Sequence, residues 1–161
     1  KFDEYFFSHM EEIDLCWRLQ AMGFQIWVEP DAIVYHKNAF SMPMHSHKKY
    51  YLNHRNSLLM LFGNYSLKNT LVLGSGRILF ELIAFGYSIL NLNWKHSSAI
   101  IRSLLYLPFH VNVILRKRDK FKKIRRQKDK DIMKNMLRNS IVINYYLKRM
   151  QVYSEIDSID S

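Results

Sequence analysis

Apolar and polar positions along this chain alternate between two periods. Ser8, with Glu11 three residues on, has the form of a capping box and predicts a helix starting near His9. Met10, Ile13 and Trp17 recur at helical spacing, Leu15, Cys16 and Leu19 widen the apolar face, and Gly23 suits a left-handed stop. From Phe24 the period becomes two. Phe24, Ile26 and Val28 alternate with Gln25, Trp27 and Glu29, which predicts a strand; Pro30 and Asp31 turn the chain, and Ala32 to Tyr35 predicts a second strand ending at His36. Phe40 to Lys49 reads as a loop around Pro43. Tyr50 to Phe62 returns to helical spacing, with Gly63-Asn64 as its stop. Asp131 to Tyr153 predicts one more amphipathic helix, carrying Met133, Met136, Leu137, Ile141 and Tyr145, before a short acidic, frayed end at Ser154 to Ser161.

Between these lie two strongly apolar stretches. Leu67 to Leu92 is interrupted by Arg77 and Glu81, which stand four apart and can pair on a helix. Ser98 to Leu115 is broken by Arg102, Pro108 and His110. Neither is a charge-free run of the roughly 20 residues that a spanning helix needs. Interfacial or re-entrant helices are favoured over two full spans, with a soluble helical hairpin as the plain alternative. Gly74-Ser75-Gly76 lacks a phosphate-loop pattern and marks a helix junction rather than a nucleotide site.

Composition sharpens this picture. At 48% hydrophobic and 14% aromatic, the 161-residue chain is too apolar for disorder, yet its net charge is +10. Much of that charge sits in Arg116 to Lys130, ten cationic residues against two acids. Such a run is ordinarily a solvated helix face. Placed directly after two apolar stretches, it points to anionic headgroups, with Lys122, Lys123, Arg125 and Arg126 as membrane-binding residues on the cytoplasmic side. No nucleic-acid-binding motif accompanies it, so nucleic acid is not expected as a partner. The lone Cys16 has no internal disulfide partner, which fits a reducing compartment.

The candidate chemistry is concentrated between Asp3 and His36. Glu11, Glu12 and Asp14 crowd one helical turn, where carboxylates ordinarily complement the helix dipole. Arg18 stands at the right spacing to pair with Asp14. His36 leaves a predicted strand at a sheet rim, a common place for ligands and metals. His45 and His47 form a His-x-His pair, but with no third ligand in sequence a flexible loop is the simpler reading.

Taken jointly, these residues resemble a family. Phe2-Asp3-Glu4-Tyr5-Phe6-Phe7, Glu11-Glu12-Ile13-Asp14-Leu15-Cys16-Trp17-Arg18, Gly23-Phe24, Pro30-Asp31-Ala32 and Val34-Tyr35-His36 follow the order and spacing of the C-terminal half of the catalytic domain of family 2 glycosyltransferases, rhamnosyltransferase-like members above all. Tyr50-Tyr51 and Arg55-Asn56 resemble the helix that follows in that family, so the likeness covers residues 1–65. It implies an α/β fold: the C-terminal half of a GT-A, Rossmann-like domain, followed by a mostly α-helical, membrane-associating tail. The expected organisation is an acceptor-side part at 1–47, a packing helix at 48–66, an apolar helical region at 67–115 and a basic helical tail at 116–161.

The resemblance also implies roles. Glu12 occupies the position of the catalytic base, where the family usually has Asp, and Glu11 shares that work; a glutamate transfers the same proton. Asp14 orients the helix start or binds the acceptor, and Arg18 matches a position that pairs with these acids. His36 matches a position that helps hold a divalent metal, Mn or Mg, at the donor diphosphate. The main metal ligands belong to an Asp-x-Asp motif, which this chain lacks. The expectation is therefore the acceptor-side portion of an inverting enzyme whose donor-binding half lies outside this chain. Its partners would be a nucleotide sugar, a glycan or lipid-linked acceptor, and an anionic membrane surface, on which it sits as a peripheral or monotopic protein. The runner-up is a non-catalytic, membrane-binding remnant of such an enzyme.

Overall fold

A computed structural model describes residues 1–35, 42–134, 136 and 141–150. Among the described residues seven helices follow one another: α1 (Glu11–Ala21), α2 (His47–Asn64), α3 (Leu67–Leu90), α4 (Trp94–Phe109), α5 (Val111–Ile124), α6 (Asp129–Met133) and α7 (Ile141–Tyr146). The most extensive packing joins α2 to α4, with α3 laid against both. Helix α5 crosses α2, and α1 docks between α2 and α6.

The expected α/β fold is not what the chain adopts. Among the described residues every regular element is a helix, and none is a strand. The correction has a plain cause at residues 24–35. A strand stands only when a neighbour takes up its backbone N–H and C=O groups. Among the described residues the alternating stretch has no such neighbour, and Trp27 and Val28 lie 83% and 87% exposed. Tyr35, in the second predicted strand, is 96% exposed. Period-two patterning is present in the sequence, but no ladder forms to use it.

Helix boundaries also shift. Ser8 does not cap α1; Met10 is the N-cap, in a left-handed conformation and with no side-chain cap hydrogen bond. Helix α2 begins at His47, where Ser46 Oγ accepts from Lys49 N, and it ends at Asn64, with Gly63 inside its last turn. The second apolar stretch divides at Pro108–His110 into α4 and α5, bent by 68°. A proline in the last helical turn removes a backbone donor and favours such a break. Gly74 lies inside α3, not at a junction, and its bare Cα lets α3 approach the Phe62 ring of α2; a Cβ there would stand 3.0 Å from it. Of the single helix expected over Asp131 to Tyr153, the structure shows the short α6 and α7; residues 135, 137–140 and 151–161 lie outside the described residues.

The core sits where α1, α2, α5 and α6 meet. Phe6, Trp17, Ala21, Leu59, Met60, Ile114, Phe121 and Ile132 are buried together there. Trp17 stacks on Tyr65 with ring centroids 4.1 Å apart. Burying aromatic rings of this size contributes about 2 kcal/mol or more each, so this cluster fixes α1 against the rest.

Candidate functional site

The chain enters α1 through a strained loop. Phe7, His9 and Met10 all have positive φ, of 61°, 68° and 68°. A non-glycine residue held this way costs about 1–3 kcal/mol, and persists only where its surroundings over-determine it. They do so here. The buried side chain of Asn56 donates to the carbonyls of Phe6 (2.9 Å), Ser8 (2.7 Å) and His9 (2.8 Å). Its own Oδ1 accepts from Arg55 Nε at 2.8 Å and Nη2 at 2.6 Å. Arg55 Nη2 also donates to the carbonyls of Tyr5 and Phe6. Phe6 is wholly buried and anchors the loop from below.

This loop separates three carboxylates that look alike in sequence. Glu12 is exposed to solvent. Glu11 is half-buried, with a buried Oε2 that meets no hydrogen-bond partner. Asp14 is fully buried and fully engaged: Oδ1 accepts from Asn64 Nδ2 (2.7 Å) and Lys117 Nζ (2.8 Å), and Oδ2 from Arg18 Nε (2.7 Å). Arg18 Nη2 further donates to the Lys1 carbonyl. Both residues of the Asp14–Arg18 pair are thus occupied in orienting α1, with no oxygen of Asp14 left open for an acceptor. Lys117 completes the network by bonding Asp3 at 2.6 Å. Burial pushes the Asp3 carboxyl up, but the hydrogen bond and charge of Lys117 outweigh it and hold the group below its usual range. Nothing in the run of ten cations distinguished Lys117 in sequence as the one turned inward.

A cleft of about 480 Å³ opens beside the strained loop, lined by Phe7, His47, Lys48, Tyr51, Arg55 and Arg102 among others. Lys48 Nζ lies 4.5 Å above the Phe7 ring, and the Arg102 guanidinium 4.9 Å above Tyr51. The cleft therefore presents cationic and aromatic groups and no acid, a lining that suits an anionic or sugar-bearing ligand.

His36 lies outside the described residues. Among those described, no group of three or more His, Cys, Asp or Glu side chains is close enough to hold a metal ion, so they do not fit a divalent-metal site. His45 Nδ1 instead lies 2.9 Å from Tyr50 Oη. A cluster joins α2, α3 and α4, of which sequence reasoning found the Arg77–Glu81 pair and missed His54 and His96. Glu81, on α3, contacts both Arg77 and His54, whose Nδ1 lies 2.6 Å from Glu81 Oε2 in an ion-pair contact without hydrogen-bond alignment. His54 Nε2 in turn meets His96 Nε2 at 2.9 Å, so one of those two nitrogens carries the proton and the other accepts it. Glu81 in an apolar run was the available signal; its histidine partners are 27 residues before it and 15 after.

On the other side of the molecule, apolar side chains face outward. Leu71, Val72, Leu79, Leu82, Ile83, Tyr87 and Leu90 of α3 are exposed, as are Trp94, Ile101, Leu105 and Phe109 of α4. Helix α3 is long and apolar enough to cross a membrane. Beyond it, Lys122 and Lys123 are exposed in the last turn of α5, and Arg126 is exposed just after. Arg125 differs from these three: its guanidinium pairs with Asp129 and donates to the carbonyls of Gln127 and Asn64.

Comparison with protein-family models, with curated proteins and with solved structures finds no match.

Proposed function

We propose that this chain is the acceptor-side, C-terminal portion of an inverting, rhamnosyltransferase-like glycosyltransferase that works against a membrane surface. One observation supports this reading above the others. The strained loop Phe7–Met10 lines a cationic cleft at one end and leads into the exposed carboxylate of Glu12 at the other. Backbone strain held by a buried Asn and an Arg is the signature of a segment kept in place for use.

In the proposed reaction Glu12 accepts the proton of an acceptor hydroxyl. The freed oxygen attacks the anomeric carbon of a nucleotide sugar as the bond from that carbon to the diphosphate oxygen breaks, and the carbon inverts. The diphosphate leaves with its electron pair. Glu12 suits the task because it is solvent-accessible and unpaired among the described residues, whereas Asp14 is saturated. The family resemblance carries a divalent metal with it, but no step here is routed through one. The acceptor, a glycan or lipid-linked sugar, would lie in the cleft of Lys48 and Arg102, with the outward apolar faces of α3 and α4 holding the protein at the cytoplasmic surface as a peripheral or monotopic protein.

The test is Glu12→Gln in the full-length protein. Turnover should fall by about 10²-fold or more with folding and donor KM preserved, and Glu12→Asp should retain most of it. Unchanged turnover in Glu12→Gln removes the base and favours the second reading, a non-catalytic membrane-binding module. That reading draws on the exposed apolar faces of α3 and α4, which need no chemistry to explain them.

A further inference from the structure

A second cleft lies apart from the one beside the strained loop. About 790 Å³ in volume, it opens where the start of α3, the end of α5 and the start of α6 converge. Its charge is lopsided. Lys68, Lys122, Lys128 and Lys130 line it, and all four are exposed. None takes part in an ion pair among the described residues.

The other charged groups of the cleft are largely spent on its walls. Arg118 donates to the Phe62 carbonyl and to Thr70 Oγ1. Arg125 is paired with Asp129. Asp129 also accepts from Ser66 N (2.8 Å) and Asn69 Nδ2 (2.7 Å), so the first turn of α3 already has its carboxylate. Burial pushes the Asp129 carboxyl up, but these hydrogen bonds and that of Arg125 outweigh it and hold the group below its usual range. With Asp129 neutralised by Arg125, one exposed acid, Asp119, faces four uncommitted lysines.

Four ammonium groups brought from separate elements around one open volume attract a multiply charged or clustered anion. The surroundings choose which. Leu67 and Leu71, on either side of Lys68 in α3, are each 65% exposed and begin the outward apolar face of that helix. An anion seated among the lysines would therefore have an apolar surface running away from it, the arrangement of a phosphate headgroup above acyl chains.

We propose that this cleft binds the phosphodiester headgroups of anionic glycerophospholipids, with Lys68, Lys122, Lys128 and Lys130 as the contacting residues and the exposed face of α3 against the acyl region. The assignment rests on the membrane-surface part of the function proposed above and not on glycosyl transfer. It places the recognition in a cleft shared by three elements, which takes Lys122, Lys128 and Lys130 from the run of cations and adds Lys68 from outside it.

The test compares two variants of equal charge by co-sedimentation of the full chain with vesicles of phosphatidylglycerol and phosphatidylcholine. One replaces Lys68, Lys122, Lys128 and Lys130 with Gln. The other replaces Arg116, Lys120, Lys123 and Arg126, all exposed and all outside the cleft. Each lysine near an anionic surface is worth about fivefold in partition, so both should weaken binding; the cleft variant should lose at least about tenfold more than the control. Lys68→Gln alone should weaken binding more than Lys120→Gln alone. Equal losses in the two quadruple variants overturn the cleft while leaving membrane association intact. If the unmodified chain binds neither anionic nor neutral vesicles, the membrane reading fails as well. Inorganic phosphate at constant ionic strength should leave vesicle binding unchanged; displacement by it assigns the cleft to a free anion and overturns the lipid assignment.

Discussion

The start of α1 and the outer face of α3 reverse the usual rule of apolar inside and polar outside, in opposite senses. At the start of α1 a polar network is set into the interior beside the apolar core: Asp14, Asn56, Asn64 and Lys117 are buried, and their hydrogen bonds hold a backbone that would otherwise relax. Along α3 the exterior is apolar, with Leu79, Ile83, Tyr87 and Leu90 turned outward. A buried ionic network is poor value for stability alone, because desolvation offsets much of its attraction. An exposed apolar face is likewise unfavourable in water. Each region therefore bears a cost that stability does not repay. The first cost keeps a loop in one shape, and the second leaves a surface open to another apolar phase.

Breaking the ionic side should have the larger effect. Lys117→Met preserves the stem that packs along Gly63 but removes the ammonium that lies over the Phe6 ring and is shared by Asp3 and Asp14. Asp14 would keep Arg18 and Asn64 but lose its buried ammonium partner, a loss of about 1.5–3 kcal/mol in denaturant unfolding. The pH dependence follows from Asp3 and Asp129, both held below the ordinary carboxyl value of 3.8. Their contribution is complete above that value and disappears as the pH falls through the lower folded-state values. The unmodified protein should thus lose stability below about pH 4, with a shallower acid slope in Lys117→Met. An unchanged slope would mean that Asp3 owes nothing to Lys117.

The apolar side answers to a different measurement. Leu82→Asp with Ile83→Asp changes two exposed residues of α3, so unfolding free energy should move by no more than about 0.5 kcal/mol each. Partition onto vesicles should fall by about 10²-fold or more, because each side chain withdraws about 2 kcal/mol of apolar transfer and adds a charge. If unfolding stability drops by several kcal/mol instead, the face is packed in solution and the membrane argument loses its footing.

What sequence made legible follows the range of the interactions involved. Helices α1, α2 and α3 show in local periodicity, and the Arg77–Glu81 and Asp14–Arg18 contacts show in their spacing of four. The left-handed entry to α1 did not, because its cause is Asn56, almost fifty residues away, and local signals favoured a cap at Ser8. The strands failed for the converse reason: alternation records a preference for a ladder but cannot provide the neighbouring strand. Among the acids of α1, sequence placed three carboxylates on one turn, and only the partners Asn64 and Lys117 separate the buried Asp14 from the open Glu12. The cleft lysines were half visible; Lys122, Lys128 and Lys130 belong to an obvious basic run, whereas Lys68 joins them only through the fold.

The smallest effect lies at the junction of the two regions. Tyr65, just after α2, stacks on Trp17 of the ionic side and lines the lysine cleft of the other. Burial, followed by the charge of Asp129, pushes its phenol up to about 12. Because the folded-state value is raised, any stability linked to this proton is intact below the ordinary value of 10 and is lost as pH rises toward 12. At neutral pH, Tyr65→Phe should therefore keep the stack and shift unfolding by no more than about 1 kcal/mol. Absorbance titration of phenolate should resolve a late-ionising tyrosine in the unmodified protein and lose it in Tyr65→Phe. The same titration on Asp129→Asn sharpens the assignment. Removing that carboxylate should bring the Tyr65 transition down only in part, since burial is the larger cause. A complete return to 10 would show Asp129 to be the dominant influence, and would mean that the wall between core and cleft is wetter than its packing indicates.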